Sequence, residues 1–320
     1  PFLGAMSLSF RAAETVIVIL SGLVLGWLAR RRGLSESVSP QITRLTLTFA
    51  EPIPIALSLW GLSTSEPGAF LLPVLDVVMI ALMWPVGHVT GRMLGLRGGG
   101  LGAFATSAMF SNVGITYGAF LAYALLGERG AALGYLYCAT FMPTFFTLGF
   151  WVGGRYGEGE RAALQVLSDT LSQPQSRNPI LGTVCGLLLL VSGLPRPSLA
   201  APVVSVLVPA ITFSYMFAIG LSMHVRAMLG YWRPALVMHG LKFVVAPALG
   251  LALGHLVGLS SMGQDLMPVL FLEVATPTAI MALVLAQARS LDVQLANACW
   301  LATNLTSIAL APLWLYIASI

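Results

Sequence analysis

The 320 residues are 57% hydrophobic and 9% charged, with a mean hydropathy of +0.88. A soluble chain of this size cannot hide so much apolar surface, so lipid must be part of its solvent. The net charge of +4 comes from basic residues scattered through short loops without interleaved aromatics, which argues against a nucleic-acid surface.

A helix needs about 20 apolar residues to cross roughly 30 Å of hydrocarbon. Windows of that length predict ten spans, near 12–29, 41–61, 70–91, 101–126, 131–153, 178–193, 199–223, 233–257, 266–287 and 293–318. Pro1 to Ala5 precede Met6 and are set aside as an addition to the chain. The first span is followed, not preceded, by Arg30, Arg31 and Arg32, an order that speaks against a cleaved signal peptide. The longest polar stretch is 154–177, where Leu164, Leu167 and Leu171 recur at helical spacing and predict a short surface helix. Cys138, Cys185 and Cys299 each lie alone in an apolar span and read as small buried hydrophobes.

Arginine placement sets an orientation. Twelve arginines fall in or beside loops following odd-numbered spans, against Arg11, Arg129 and Arg196 on the other side. The arginine-rich loops are expected in the cytoplasm and both termini outside.

The two halves echo each other at an offset of roughly 160 residues. Gly87, Gly91 and Gly95 in span 3 match Gly250, Gly254 and Gly258 in span 8, while Pro52 and Pro209 are expected to break spans 2 and 7. Five spans per unit is an odd number, so the second copy must enter the membrane from the opposite face. The expected fold is an all-α membrane protein of ten transmembrane helices, built as two inverted five-helix repeats. The first repeat covers 6–153, a cytoplasmic linker 154–177, and the second repeat 178–320.

Spans 4 and 9 carry polar residues at their centres: "MFSNVGITYGAF" at 109–120 and "LFLEVATPTAIMAL" at 270–283. Asn112 lies about 11 residues into span 4, roughly 16 Å deep. Thr276, Pro277 and Thr278 reach a similar depth from the other face. Pro277 lacks a donor and Gly114 unwinds cheaply, so both helices are expected to break and restart near Ile115 and Thr278. Non-helical backbone at that depth survives only where protein or a wet cavity satisfies it, which marks a solute site. Half-helix N-termini suit an anion and unwound carbonyls a cation. The expected substrate-binding residues are Asn112, Gly114, Thr116, Thr276, Pro277 and Thr278, with Glu51 and Asn304 beside them.

Charges inside a span are costly and need a reason. Glu273, Asp76 and Lys242 are the candidate ion-coupling groups; Lys242 is the chain's single lysine. Asp76 and Lys242 fall in opposite halves of the membrane, which speaks against a direct pair, while His88, His224 and His255 read as structural.

The ten-span plan, with "RNPILGTVCGLLLLVSGLP" (177–195), "ATPTAIMALVLAQ" (275–287) and "LAPLWLYI" (310–317), resembles the auxin efflux carrier family of transporters. The resemblance implies a scaffold of spans 1, 2, 6 and 7 and a mobile transport domain of spans 3–5 and 8–10. It also implies elevator motion, a small organic anion as substrate and homodimers through the scaffold. "SNVGITY" (111–117) is similar to the crossover of the bile-acid sodium symporters, where a Ser-Asn pair and a span-9 glutamate bind sodium. By that similarity Ser111, Asn112 and Glu273 are the candidates to hold Na+, with a proton on Glu273 as the alternative coupling ion; no other cofactor is expected. The sequence has no phosphate-binding loop and no HExxH or GxSxG motif, so a transporter is expected rather than an enzyme or an ATP-driven pump.

Overall fold

Peptide groups in hydrocarbon must bond within their own segment, and the apolar runs accordingly fold as helices. The computed structural model describes residues 2–63, 66–157, 165, 168, 171–222 and 230–320. The surface helix expected around Leu164, Leu167 and Leu171 falls largely outside them, as do Arg161, His224 and Arg226. Helices α1 (Phe2–Arg31), α2 (Val38–Leu45) and α3 (Pro52–Trp60) are followed by α4 (Leu72–Met93), α5 (Gly98–Met109), α6 (Gly118–Leu126) and α7 (Glu128–Tyr137). The path of α7 continues through short 3-10, α and π turns to Gly153. Then come α8 (Pro174–Ser192), α9 (Ala200–Ser222), α10 (Trp232–Gly240), α11 (Ala246–Leu256), α12 (Leu266–Val274), α13 (Met281–Ala288) and α14 (Val293–Ala318). Among the described residues there is no strand beyond one isolated bridge.

Among the described residues, six helical stretches are long and apolar enough to cross a membrane: Ala13–Arg31, Gly68–Met93, Glu128–Gly153, Ala200–Ser222, Trp232–Leu256 and Val293–Ala318. The other four expected spans depart from that form. Span 2 is opened by a π turn over Thr46–Ala50 before Pro52 starts α3. In span 6, α8 carries Gln175, Arg177 and Asn178 in its first turns. Spans 4 and 9 are broken outright, between α5 and α6 and between α12 and α13.

Pro209 does not break span 7, contrary to its reading from sequence. It sits inside the continuous helix α9, as Pro85 does inside α4. A proline removes one donor and displaces one carbonyl, a loss that a long packed helix absorbs as a local distortion.

The glycine ladders are contact surfaces. A Cβ on Gly87 would lie 2.6 Å from that of Ala108 on α5, and one on Gly250 would lie 2.8 Å from the Val274 methyls on α12. Thus α4 lies on the first half of span 4 and α11 on the first half of span 9. The third glycine of each ladder does something else. Gly95 (φ +78°) and Gly258 (φ +71°) are left-handed caps that end α4 and α11, a backbone state that favours glycine. Elsewhere α1 packs along α9, and α3 packs along α8.

The ends of the bundle are polar in different ways. At one end Arg129 donates to Glu66 at 2.7 Å and to Asp265 at 2.5 Å, and Arg196 pairs with Glu128. At the other, the Tyr156 hydroxyl receives Trp84 Nε1 at 3.1 Å and shares a 2.6 Å hydrogen bond with His88 Nδ1. There too Asp292 caps α14 through Leu295 N and accepts from the Tyr231 hydroxyl at 3.0 Å. Side chains such as Leu188, Val206 and Leu236 are exposed apolar surface suited to acyl chains. Cys185 is exposed as well, so only Cys299 of the three thiols is the fully buried hydrophobe expected, with Cys138 intermediate.

Close approach of α8 to α3 gives a direct test. A Cβ on Gly182 would lie 2.7 Å from the Pro52 carbonyl oxygen, whereas one on Gly240 meets nothing within 4 Å. Gly182→Ala is expected to cost roughly 1–3 kcal/mol. Gly240→Ala should be neutral or stabilising by up to about 1 kcal/mol. Thermal unfolding of the purified protein in detergent reads both, and equal midpoints for the two variants would contradict this packing.

Candidate functional site

The two broken spans meet. After Met109 the chain turns extended at Phe110 (φ −99°, ψ 121°), and Gly114 takes φ +77°. A 3-10 turn covers Gly114–Thr116 before α6 starts at Gly118. In span 9, α12 ends at Val274 and α13 starts at Met281. Both restarts come three residues later than the sequence suggests: in span 4 a 3-10 turn intervenes, and in span 9 Thr278 and Ala279 are held by bonds to span 4. Ser111 and Thr278 form an antiparallel bridge. Asn112 N donates to Pro277 O at 2.7 Å and Ala279 N to Phe110 O at 3.0 Å. Pro277 stands where only a carbonyl is used, so its missing N–H costs nothing there.

Span 10 braces this junction. Thr303 Oγ1 receives Thr278 N at 3.1 Å, and Asn304 Nδ2 donates to Thr278 O at 3.0 Å and to Trp300 O at 2.8 Å. Asn304 Oδ1 receives Asn112 Nδ2 at 3.3 Å, and Asn112 Oδ1 receives the Thr116 hydroxyl at 2.6 Å. One amide on α14 therefore ties both crossover strands together. The Tyr117 hydroxyl donates to Ser307 O, and Thr212 of α9 donates to Ile115 O at 3.2 Å. Thr276 turns its hydroxyl back to Glu273 O at 2.8 Å, and Thr278 donates to Ser107 O at 3.3 Å.

Glu273 is fully buried at the end of α12. Its Oε2 accepts Gly114 N at 3.2 Å, and its Oε1 has no hydrogen-bond partner. The carboxyl occupies space left by two glycines: a Cβ on Gly118 would overlap it, and one on Gly134 would come within 2.6 Å of Oε1. The buried hydroxyl of Tyr135, next in the chain to Gly134, has no partner either. A buried carboxyl with a free oxygen can take up a proton or a cation.

The remaining candidates divide. Glu51 lies outside the crossover and accepts the Tyr215 hydroxyl of α9. Asp76 is buried in α4 and accepts from Thr140 at 3.4 Å. Among the described residues no ion pair joins it to Lys242. Lys242 instead donates to Ala108 O at 2.8 Å, Phe110 O at 3.0 Å and Ser111 Oγ at 2.9 Å. The three residues expected to share Na+ are each engaged separately: Ser111 by Lys242, Asn112 by Thr116, and Glu273 by Gly114 N. Among the described residues no group of three or more His, Cys, Asp or Glu side chains could hold a metal ion.

Sequence reasoning missed Tyr117, Gly118, Gly134, Tyr135, Tyr215 and Ser307 in this site. Gly118 and Gly134 carried a signal, glycine within runs of larger apolar residues, but one shared with ordinary helix packing. A small apolar cleft beside the junction is lined by Leu23, Met216, Ile219, Leu301 and Ile308 and bordered by Asn304. It lies between the α1–α9 pair and α14.

Comparison with known proteins points to membrane transport. Residues 160–315 match the family described as membrane transport protein. An uncharacterized transporter of Methanothermobacter thermautotrophicus is 24% identical over 310 residues, covering 95% of this chain and 97% of that protein. One from Methanocaldococcus jannaschii is 25% identical over 310 residues, covering 94% and 97%. The second half of the chain is thus similar to the membrane transport protein family, and both relatives, each described as a transporter, align with it nearly end to end.

Proposed function

We propose that this protein is a secondary transporter that carries a small organic anion, a carboxylate, across the bilayer by elevator-type alternating access. The observation that carries the reading is the pairing of two broken helices, Asn112 N with Pro277 O and Ala279 N with Phe110 O, deep in an apolar chain. Such a junction presents helix ends and unwound backbone to one place, which is the chemistry of an ion and substrate site.

In this reading the chain crosses the membrane ten times as two inverted repeats. The matching ladders of α4 on α5 and α11 on α12 support it, as do the caps Gly95 and Gly258. The arginine bias puts the termini outside and the central loop in the cytoplasm. The scaffold is α1, α2, α3, α8 and α9, through which two copies pair. The transport domain is α4–α7 with the segment to Gly153, and α10–α14. The anion binds where Asn112, Gly114, Thr116, Thr276, Pro277, Thr278 and Asn304 gather, and Glu51 of the scaffold contributes to its binding from outside the crossover. The cleft bordered by Asn304 lies between the two proposed bodies, where an elevator exposes its cargo. Glu273 and Asp76 are the carboxyls on which a co-transported cation, a proton or Na+, is carried.

Uptake of labelled dicarboxylates and indole-acetate-like acids into proteoliposomes, with sodium and proton gradients imposed separately, tests the proposal. Saturable uptake driven by one gradient is expected. Binding without movement across that panel would make the protein a sensor instead. Glu273→Gln is expected to lower gradient-driven uptake at least ~10-fold while leaving substrate exchange, which needs no gradient. Undiminished gradient-driven uptake would remove Glu273 from coupling. Asn304→Ala, which unties both crossover strands, should cost about 1–3 kcal/mol in thermal unfolding and raise the half-saturation concentration for uptake. An unchanged half-saturation would place Asn304 outside the substrate site.

A further inference from the structure

In an intact helix Ala108 O would accept from Asn112 N, but that donor is spent on Pro277 O. Breaking span 4 therefore leaves carbonyls at the end of α5 without their helical partners, on the end of the helix dipole that carries partial negative charge. Three oxygens gather there: Ala108 O, Phe110 O and Ser111 Oγ. Two carbonyls of buried residues and the hydroxyl of half-buried Ser111 form the donor set of a small hard cation.

That place is filled by the chain itself. Lys242 Nζ lies 2.8, 3.0 and 2.9 Å from the three oxygens, one acceptor for each ammonium proton. The side chain is 0% exposed, and among the described residues no carboxylate pairs with it. The backbone of span 8 shifts to a π turn over Leu241–Val245, the local widening that often re-aims a functional side chain. A second cation beside Ser111 would meet an ammonium only 2.9 Å from its own ligand, a repulsion severe in low dielectric.

We propose that Lys242 is a tethered cation that stands in for a bound alkali ion at the Ser111 end of the crossover, so that this end needs no Na+. The inference deepens the transporter reading and rests on it for its meaning in coupling, though its geometry does not. Any co-transported cation is left to the Glu273 side, where Oε1 is free.

The test is rescue by small cations. Lys242→Ala leaves the three oxygens facing a gap that Na+ or methylammonium can enter, whereas Lys242→Met fills the same space without charge. Thermal unfolding in detergent is followed in matched sodium, methylammonium and choline chlorides. In the alanine variant, sodium or methylammonium is expected to raise the midpoint by at least ~3 °C over choline. The methionine variant should show the loss without rescue, and the wild type no comparable shift. The idea is overturned if the alanine variant is not rescued, including the case where it never folds in any salt. It is equally overturned if all three proteins respond alike, since the cation then acts elsewhere, or if the methionine variant matches wild type. These readouts need no transport, so a wild type that moves no substrate would count against the proposed function and leave this result standing. Where uptake is measurable, sodium-dependent uptake should emerge in Lys242→Ala at rates at least ~5-fold above those in choline.

Discussion

The structure turns on one exchange of backbone hydrogen bonds. Two helices each give up a turn among buried apolar side chains, and each supplies what the other has lost: Asn112 N to Pro277 O, Ala279 N to Phe110 O. An unpaired peptide group in hydrocarbon costs several kcal/mol, so neither break could stand alone. The bracing follows from the same constraint. Thr303 and Asn304 on α14 satisfy Thr278 N and O, and Asn304 reaches across to Asn112. Further side chains have little room to vary here, because each serves a backbone group that would otherwise be orphaned.

Two ionisable groups then sit against the junction without touching each other. Lys242 is held by oxygens at the end of α5, and Glu273 by the N–H of Gly114. Each meets backbone dipoles in place of a counter-charge, an arrangement that does not require the two to move as an ion pair. They are not equivalent. Lys242 has an acceptor for every proton, while Glu273 keeps one oxygen unsatisfied over Gly134. A saturated charge is a fixture; an unsaturated one is a place to bind.

Much of this was legible in the residues, and the failures have physical reasons. Gly114 and Pro277 gave away the breaks because each carries a backbone property that no neighbour can cancel. The restarts at Gly118 and Met281 come three residues beyond the positions the sequence suggests: a 3-10 turn intervenes in one span, and bonds from Thr278 and Ala279 to residues more than 160 positions away hold the other. Pro209 was misread for the opposite reason: the surrounding packing of α9 overrides a local preference. The partner of Lys242 could not be foreseen, since a lysine in a span suggests a carboxylate or an escape to water. The carbonyls it binds become available only once span 4 is known to end at Met109. Gly118 and Gly134 hid among packing glycines, although what they accommodate is a carboxyl.

For the elevator reading, a transport domain must slide past its scaffold without exposing bare polar groups to lipid. The crossover meets this by satisfying its backbone almost entirely within the proposed moving body, through α5, α6, α12, α13 and α14. The contacts that bridge the two proposed bodies are of another kind. Thr212 donates to Ile115 O, Tyr123 to Ser205 O, and Arg196 spans Leu57 O and Glu128. Thr212 holds a second acceptor on its own helix, Val208 O, and the Arg196–Glu128 pair stands at the polar end of the bundle. Bonds of this sort can be exchanged for a local or aqueous partner at small net cost, whereas those inside the crossover cannot. The distribution of polar partners thus separates what must stay rigid from what can slip.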